Sequence, residues 1–190
     1  MLMIVKKINR SNIVCLKALL IGLILSLSVS TVKAQLSGTV TVGTAGDYAT
    51  LTGTGGFFES VNSLGLNGNV TAQVISDLTE DGTNALSYSG AHNITIQPDG
   101  STLRSITGNV SGISMITLSN ADNVVIDGRS PGNSASGYSQ PKYLRFSNSS
   151  TSGYSAIQLI EGSSSNLIQY VILEARGHSI LSISTSTSGS

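Results

Sequence analysis

The 190-residue chain carries ten basic and ten acidic side chains, one Cys, no Trp and only 5% aromatic residues. Five of the basic residues (Lys6, Lys7, Arg10, Lys17 and Lys33) and none of the acidic ones precede residue 35, so residues 35–190 sum to −5, which argues against a basic nucleic-acid-binding surface. Those 156 residues hold 29 Ser, 16 Thr, 11 Asn and 20 Gly, too many turn-prone side chains for a helical bundle, while spaced clusters of Val, Ile and Leu favour an ordered β-rich chain over disorder.

Residues 1–34 read as a secretory signal peptide. Lys6, Lys7, Arg10 and Lys17 form a basic start, residues 18–30 (ALLIGLILSLSVS) an apolar stretch, and Val32, Lys33 and Ala34 a cleavage site before Gln35. The apolar run is shorter than the roughly 20 residues that span a bilayer, so the mature chain is expected to be exported, secreted or at the outer cell surface, and not membrane-spanning. Cys15 leaves with the leader. No disulfide is then available, and stability must come from packing and backbone pairing.

Residues 35–68 are expected to form an N-terminal cap. The alternation of Val and Thr from Gly38 onward, broken at Gly43, Gly46 and Asp47, reads as a strand and a turn. Phe57, Phe58, Val61 and Leu64 then share one face at helical spacing, predicting a short covering helix over 55–65 that Gly65 ends.

From residue 69 onward short alternating clusters recur. Taking Ala72/Val74, Ile94/Ile96, Ile116/Leu118, Ile157/Leu159 and Ile180 as equivalents gives intervals of 22, 22, 41 and 23, a period of 22 to 23. One interval is longer, and its excess is assigned to an inserted Pro-, Gly- and Ser-rich loop at about 129–142. Such a period suits one lap of a parallel β-solenoid, with Ile116 and Leu118 inward and Thr117 outward. The register is open, because NITIQPDG (93–100) also matches NVVIDG (123–128) at a spacing of 30. An antiparallel sandwich uses similar short strands, but no tight hairpin dipeptides separate the main clusters. The expected fold is all-β, a parallel β-helix over 69–190 behind a strand and a short capping helix.

The run TVGTAGDYATLTGTGGFFESVNSLGLNGNVTAQVISDLTEDGTNAL (41–86), followed by ITIQPDG, ITLSNADNVVIDG and AIQLIEGSSSNLIQYVIL, resembles the N-terminal region of bacterial secreted proteins with a right-handed parallel β-helix, similar to pectin-lyase-like folds. The likeness covers nearly all of residues 39–183. It implies a long surface or secreted protein of the Bacteroidetes type, of which this chain is an N-terminal fragment followed by further C-terminal coils.

Because the related fold hosts polysaccharide lyases and hydrolases, clustered carboxylates are the first candidates for chemistry, although fold alone does not establish function. Asp77, Glu80 and Asp81 would bind a hard cation such as calcium, or share a proton. The same residues read equally as an acidic turn whose side chains satisfy backbone amides. Asp122, Asp127 and Arg129, beside the inserted loop, would face a sugar acid as a catalytic group, yet Asp127-Gly128 is also an ordinary turn. Tyr138, Tyr143 and Tyr154 surround the insertion and offer a sugar-stacking surface, or pack on their own loop. Arg104, Arg145 and Arg176 would bind acidic glycans if successive laps stack them. His92 and His178 stand alone in loops, without metal-ligand spacing.

The expected role is noncatalytic: a scaffold, stalk or adhesive part of a secreted or surface-attached β-helix, in contact with polysaccharide or a cell-surface glycan. The alternative is a polysaccharide lyase or glycosidase whose active coil lies partly beyond residue 190.

Overall fold

The structure, a computed structural model, describes residues 34–152, 154–177 and 179–184. The expected leader lies outside these residues except for Ala34, and so does His178.

Strand β1 (Leu36–Val42) is followed by α1 (Phe57–Leu64). The helix buries Phe57, Phe58 and Val61 completely, and Tyr48 meets Phe57 edge-on at 5.6 Å between ring centroids. No side chain caps its N-terminus. Instead the Gly56, Phe57 and Phe58 amides donate to the carbonyls of Gly53, Thr50 and Leu51, and Glu59 reaches back to accept from the Gly55 amide at 2.6 Å, just ahead of the helix. Gly65, at φ 70, ends the helix by donating to the Val61 carbonyl.

The remaining strands are β2 (Leu66–Val74), β3 (Leu78–Thr79), β4 (Ile94–Pro98), β5 (Arg104–Gly108), β6 (Ile116–Ser119), β7 (Val124–Asp127), β8 (Leu144–Asn148), β9 (Ile157–Ile160), β10 (Leu167–Gln169), β11 (Val171–Ala175) and β12 (Leu181–Ile183). They form three sheets, ordered β1-β2-β4-β7-β10, β3-β5-β8-β11 and β6-β9-β12. Every strand pairing among the described residues is parallel. From β2 onward the chain visits the sheets in fixed rotation, Leu86 taking the third-sheet place between β3 and β4 through a bridge to Leu118.

Side chains alternate across each strand, so the same positions turn inward at every visit. Register then builds columns. Ala72, Ile96, Ile126 and Ile168 are successive partners in the first sheet, Leu78, Ile106, Phe146 and Leu173 in the second, and Leu86, Leu118, Leu159 and Ile183 in the third. Ile116 and Leu118 are fully buried and Thr117 between them is not, as the alternation predicts.

The assumed equivalences need correction: Ala72 pairs with Ile96 rather than Ile94, and Ile157 with Leu181 rather than Ile180. Ile116 and Ile157 are partners, but Ile94 belongs to the first sheet, between Val70 and Val124. The spacing of 22 between the ITI and ITL clusters is therefore a step from one sheet to another. The partner offset is not constant: along the first sheet it runs 24, 30 and 42 residues, as Val70↔Ile94, Ile94↔Val124 and Val125↔Leu167 show. Pairing conserves the inward apolar positions, while the connections absorb the variable length.

The corners repeat as well. Asn120 and Glu161, at equivalent places after β6 and β9, have φ 51 and 54, and Asn123 and Ser165, before β7 and β10, have φ 59 and 55. Asn166 ties two corners together, its side chain accepting from the Val124 amide and donating to the Ala121 carbonyl, both at 2.8 Å.

Candidate functional site

The three carboxylates of the SDLTEDG turn take separate partners. Glu80 is 2% exposed and accepts from the amides of Leu51 and Thr52, at 2.8 and 2.7 Å, and from the Thr52 hydroxyl at 2.6 Å, fastening the segment before α1 to the chain after β3. Asp77 accepts from the Ser105 amide on β5, and Asp81 from the Thr83 amide two residues on. Among the described residues no group of three or more His, Cys, Asp or Glu is placed to hold a metal ion.

Asp122 accepts from the amide and hydroxyl of Ser164, at 2.8 and 2.7 Å, bridging to the corner before β10. Asp127 and Arg129 form a close ion pair, Nη2 to Oδ2 at 2.5 Å, with both side chains largely shielded from solvent. Gln169 on β10 adds a further bond to Asp127 at 2.9 Å. Burial pushes the Asp127 carboxyl up, but the hydrogen bonds from Arg129 and Gln169 outweigh it and leave the group below its ordinary value. Sequence reasoning placed Asp122 and Asp127 in one set; the structure gives them different partners.

Arg104 and Arg145 are likewise engaged. Arg104 pairs with Asp99 through two bonds of 2.8 and 2.9 Å, and Arg145 with Glu174 on the neighbouring strand β11. The bond from Arg104 holds the Asp99 carboxyl below its ordinary value, and that from Arg145 does the same for Glu174. Arg176 is exposed, and His92 is part-buried before β4.

One concave site lies at the long connection between β7 and β8. A cleft of about 450 Å³ is lined by Gly137, Tyr138, Lys142 and Tyr170. Tyr138 comes from the connection itself, and Tyr170 from the bend between β10 and β11. The base of the connection is closed by the Tyr143 amide, which donates to the Gly128 carbonyl at 2.6 Å, and the Gly128 amide donates in turn to the Gln169 carbonyl. Gly128 has to be glycine: a Cβ there would run into the Tyr170 carbonyl oxygen. Arg129 joins the connection to the bend, donating to the Ala135 carbonyl at 2.8 Å and lying over the Tyr170 ring at 4.6 Å from its centroid.

Of the three candidate tyrosines, Tyr138 lines this cleft. Tyr143 closes the base of the connection, and Tyr154 stands between β8 and β9, its carbonyl accepting from Asn148. Two lining side chains escaped the sequence reading. Lys142 is the sole lysine after residue 34, a signal visible in the composition. Tyr170 carried no such mark, because its place depends on register.

No family model, curated protein or solved structure matches the chain.

Proposed function

We propose that the chain is a noncatalytic part of a secreted or surface-attached protein, wound as a right-handed parallel β-helix and acting as scaffold, stalk or adhesive surface in contact with glycan. Support for the winding comes from the fixed rotation through three parallel sheets and from the aliphatic columns at successive partners. Support for export comes from the leader-like composition of residues 1–34.

One observation carries the noncatalytic reading. Each of the ten carboxylates already accepts a hydrogen bond from within the chain: Asp47 from Thr41, Glu59 from Gly55, Asp77 from Ser105, Glu80 from Leu51 and Thr52, Asp81 from Thr83, Asp99 from Arg104, Asp122 from Ser164, Asp127 from Arg129, Glu161 from Ser119 and Glu174 from Arg145. Glycoside hydrolysis by a carboxylate pair needs one group protonated near neutral pH and the other free to act on sugar or water. Here Asp47, Asp99, Asp127 and Glu174 are held the other way, below their ordinary values, by the donors they accept from.

Incubation of the full chain with pectin-like and other acidic polysaccharides, followed by chromatography for shortened or unsaturated products, tests this. No product is expected. Product that disappears in Asp127→Asn, with the fold intact by circular dichroism, would overturn the reading.

A further inference from the structure

Acidic and basic side chains are used unequally in this molecule. The carboxylates and Arg104, Arg129 and Arg145 are engaged with one another, with the backbone or with a hydroxyl, whereas Lys142 and Arg176 form no ion pair among the described residues, and of these two Lys142 stands in the wall of the cleft. Beside it Arg129 balances Asp127, so this corner keeps one positive charge in a region whose total is −5.

The other side chains of the wall are aromatic. Tyr138 is wholly exposed, at 103%, although a phenol ring carries a large apolar surface that chain collapse ordinarily covers. Tyr170 is its opposite. The Arg129 guanidinium steadies its ring, and its backbone is held at φ 51, in the left-handed region that a bulky non-glycine residue occupies only at a cost and that recurs at ligand clamps. Gly137, lacking a side chain, leaves its backbone open to the space between. The volume of about 450 Å³ falls within the usual range for small-molecule sites.

A ligand suited to this cleft has a flat, partly apolar face for the two rings and a single negative group for the ammonium. One excess positive charge does not suit the clustered charge of a nucleotide polyphosphate, but it does suit one carboxylate or sulfate per ring. We infer that the cleft between Tyr138, Lys142 and Tyr170 binds an anionic sugar unit of a glycan, its ring against the tyrosines and its charged group at Lys142. This rests on the reading that the protein binds glycan without cleaving it.

The test is calorimetric titration of the full chain with a galacturonate oligosaccharide, a sulfated oligosaccharide and a neutral cello-oligosaccharide, at low and high salt. Saturable binding of at least one anionic oligosaccharide is expected, and the two anionic arms tell carboxylate from sulfate. Lys142→Gln should weaken it about tenfold at low salt, the difference shrinking as salt screens the charge. Tyr138→Ala should weaken it about tenfold at either salt concentration. Arg176→Gln, which removes an exposed cation away from the cleft, should leave it unchanged. All three positions are surface sites, and circular dichroism confirms the fold of each variant.

The inference fails if no anionic oligosaccharide binds, if the neutral one binds equally well and Lys142→Gln has no effect, or if Arg176→Gln weakens binding as much as Lys142→Gln does. None of these results touches the noncatalytic reading. Product formation in the same samples would overturn that reading, while the Lys142 and Tyr138 variants would still decide the cleft.

Discussion

Glu80 brings a carboxylate into a place closed to water, and its three short bonds to Leu51 and Thr52 compensate for the lost hydration. Glu80→Ala would leave those donors without a partner and should lower unfolding free energy by about 3 kcal/mol in urea denaturation. Asp81→Ala, one residue on but exposed, should change it by no more than about 0.5 kcal/mol. Equal effects would contradict the assignment of Glu80 as the fastening residue. The sequence reading grouped these residues as a metal site or a turn; what it lacked was the segment around Thr52, 28 residues away in the chain, which reaches Glu80 only once the fold forms. A second expectation at this scale concerns acid. The folded-state value of Asp127 lies below its ordinary value, so the stability it contributes is present above about pH 4 and is lost as pH falls through the folded-state value. Asp127→Asn should therefore flatten the acid limb of a stability-against-pH profile measured between about pH 5 and 2 while lowering stability at pH 7. An unchanged acid limb would count against the pairing with Arg129.

At the scale of elements, alternation told which residues turn inward and composition told where corners fall. Thus ITLS, VVID and IQLI were legible as strands, and the helix over 57–64 was legible from the spacing of Phe57, Phe58 and Val61. Partner choice was legible only as a pair of alternatives, of which the 30-residue match of NITIQPDG to NVVIDG is the one the strands make. ITI pairs with VVI across 30 residues, and nothing local distinguishes this from the 22-residue match to ITL, since both present the same inward Ile. The same limit hid Tyr170, whose approach to the cleft follows from the offset of 42 that sets Gln169 beside Asp127 and Tyr170 above Gly128. That packing gives a sharp expectation: Gly128→Ala should destabilise the chain by about 1–3 kcal/mol, because the added methyl meets backbone rather than a side chain able to turn aside. Thermal unfolding checks it. Gly132→Ala supplies the contrasting case: its Cβ would meet open space, so only the strain of φ 77 opposes it.

For the molecule as a whole, three parallel sheets with matched inward columns carry the core, and the connections between strands vary without disturbing register. The connection between β7 and β8 is the extreme instance. Replacing residues 130–141 with a short Gly-Asn turn should shift stability by less than about 1 kcal/mol, since loop closure depends only weakly on length. The thermal midpoint should then move by no more than about 4 °C, and the cleft should disappear with the loop. A collapse of the midpoint would mean that the connection is part of the core.

The bond from the Tyr143 amide to the Gly128 carbonyl makes that corner a socket. Whatever peptide is spliced between its two ends, the ladder beneath is already sealed, so a lineage can rewrite what the outer face recognises while the folded frame stays as it was.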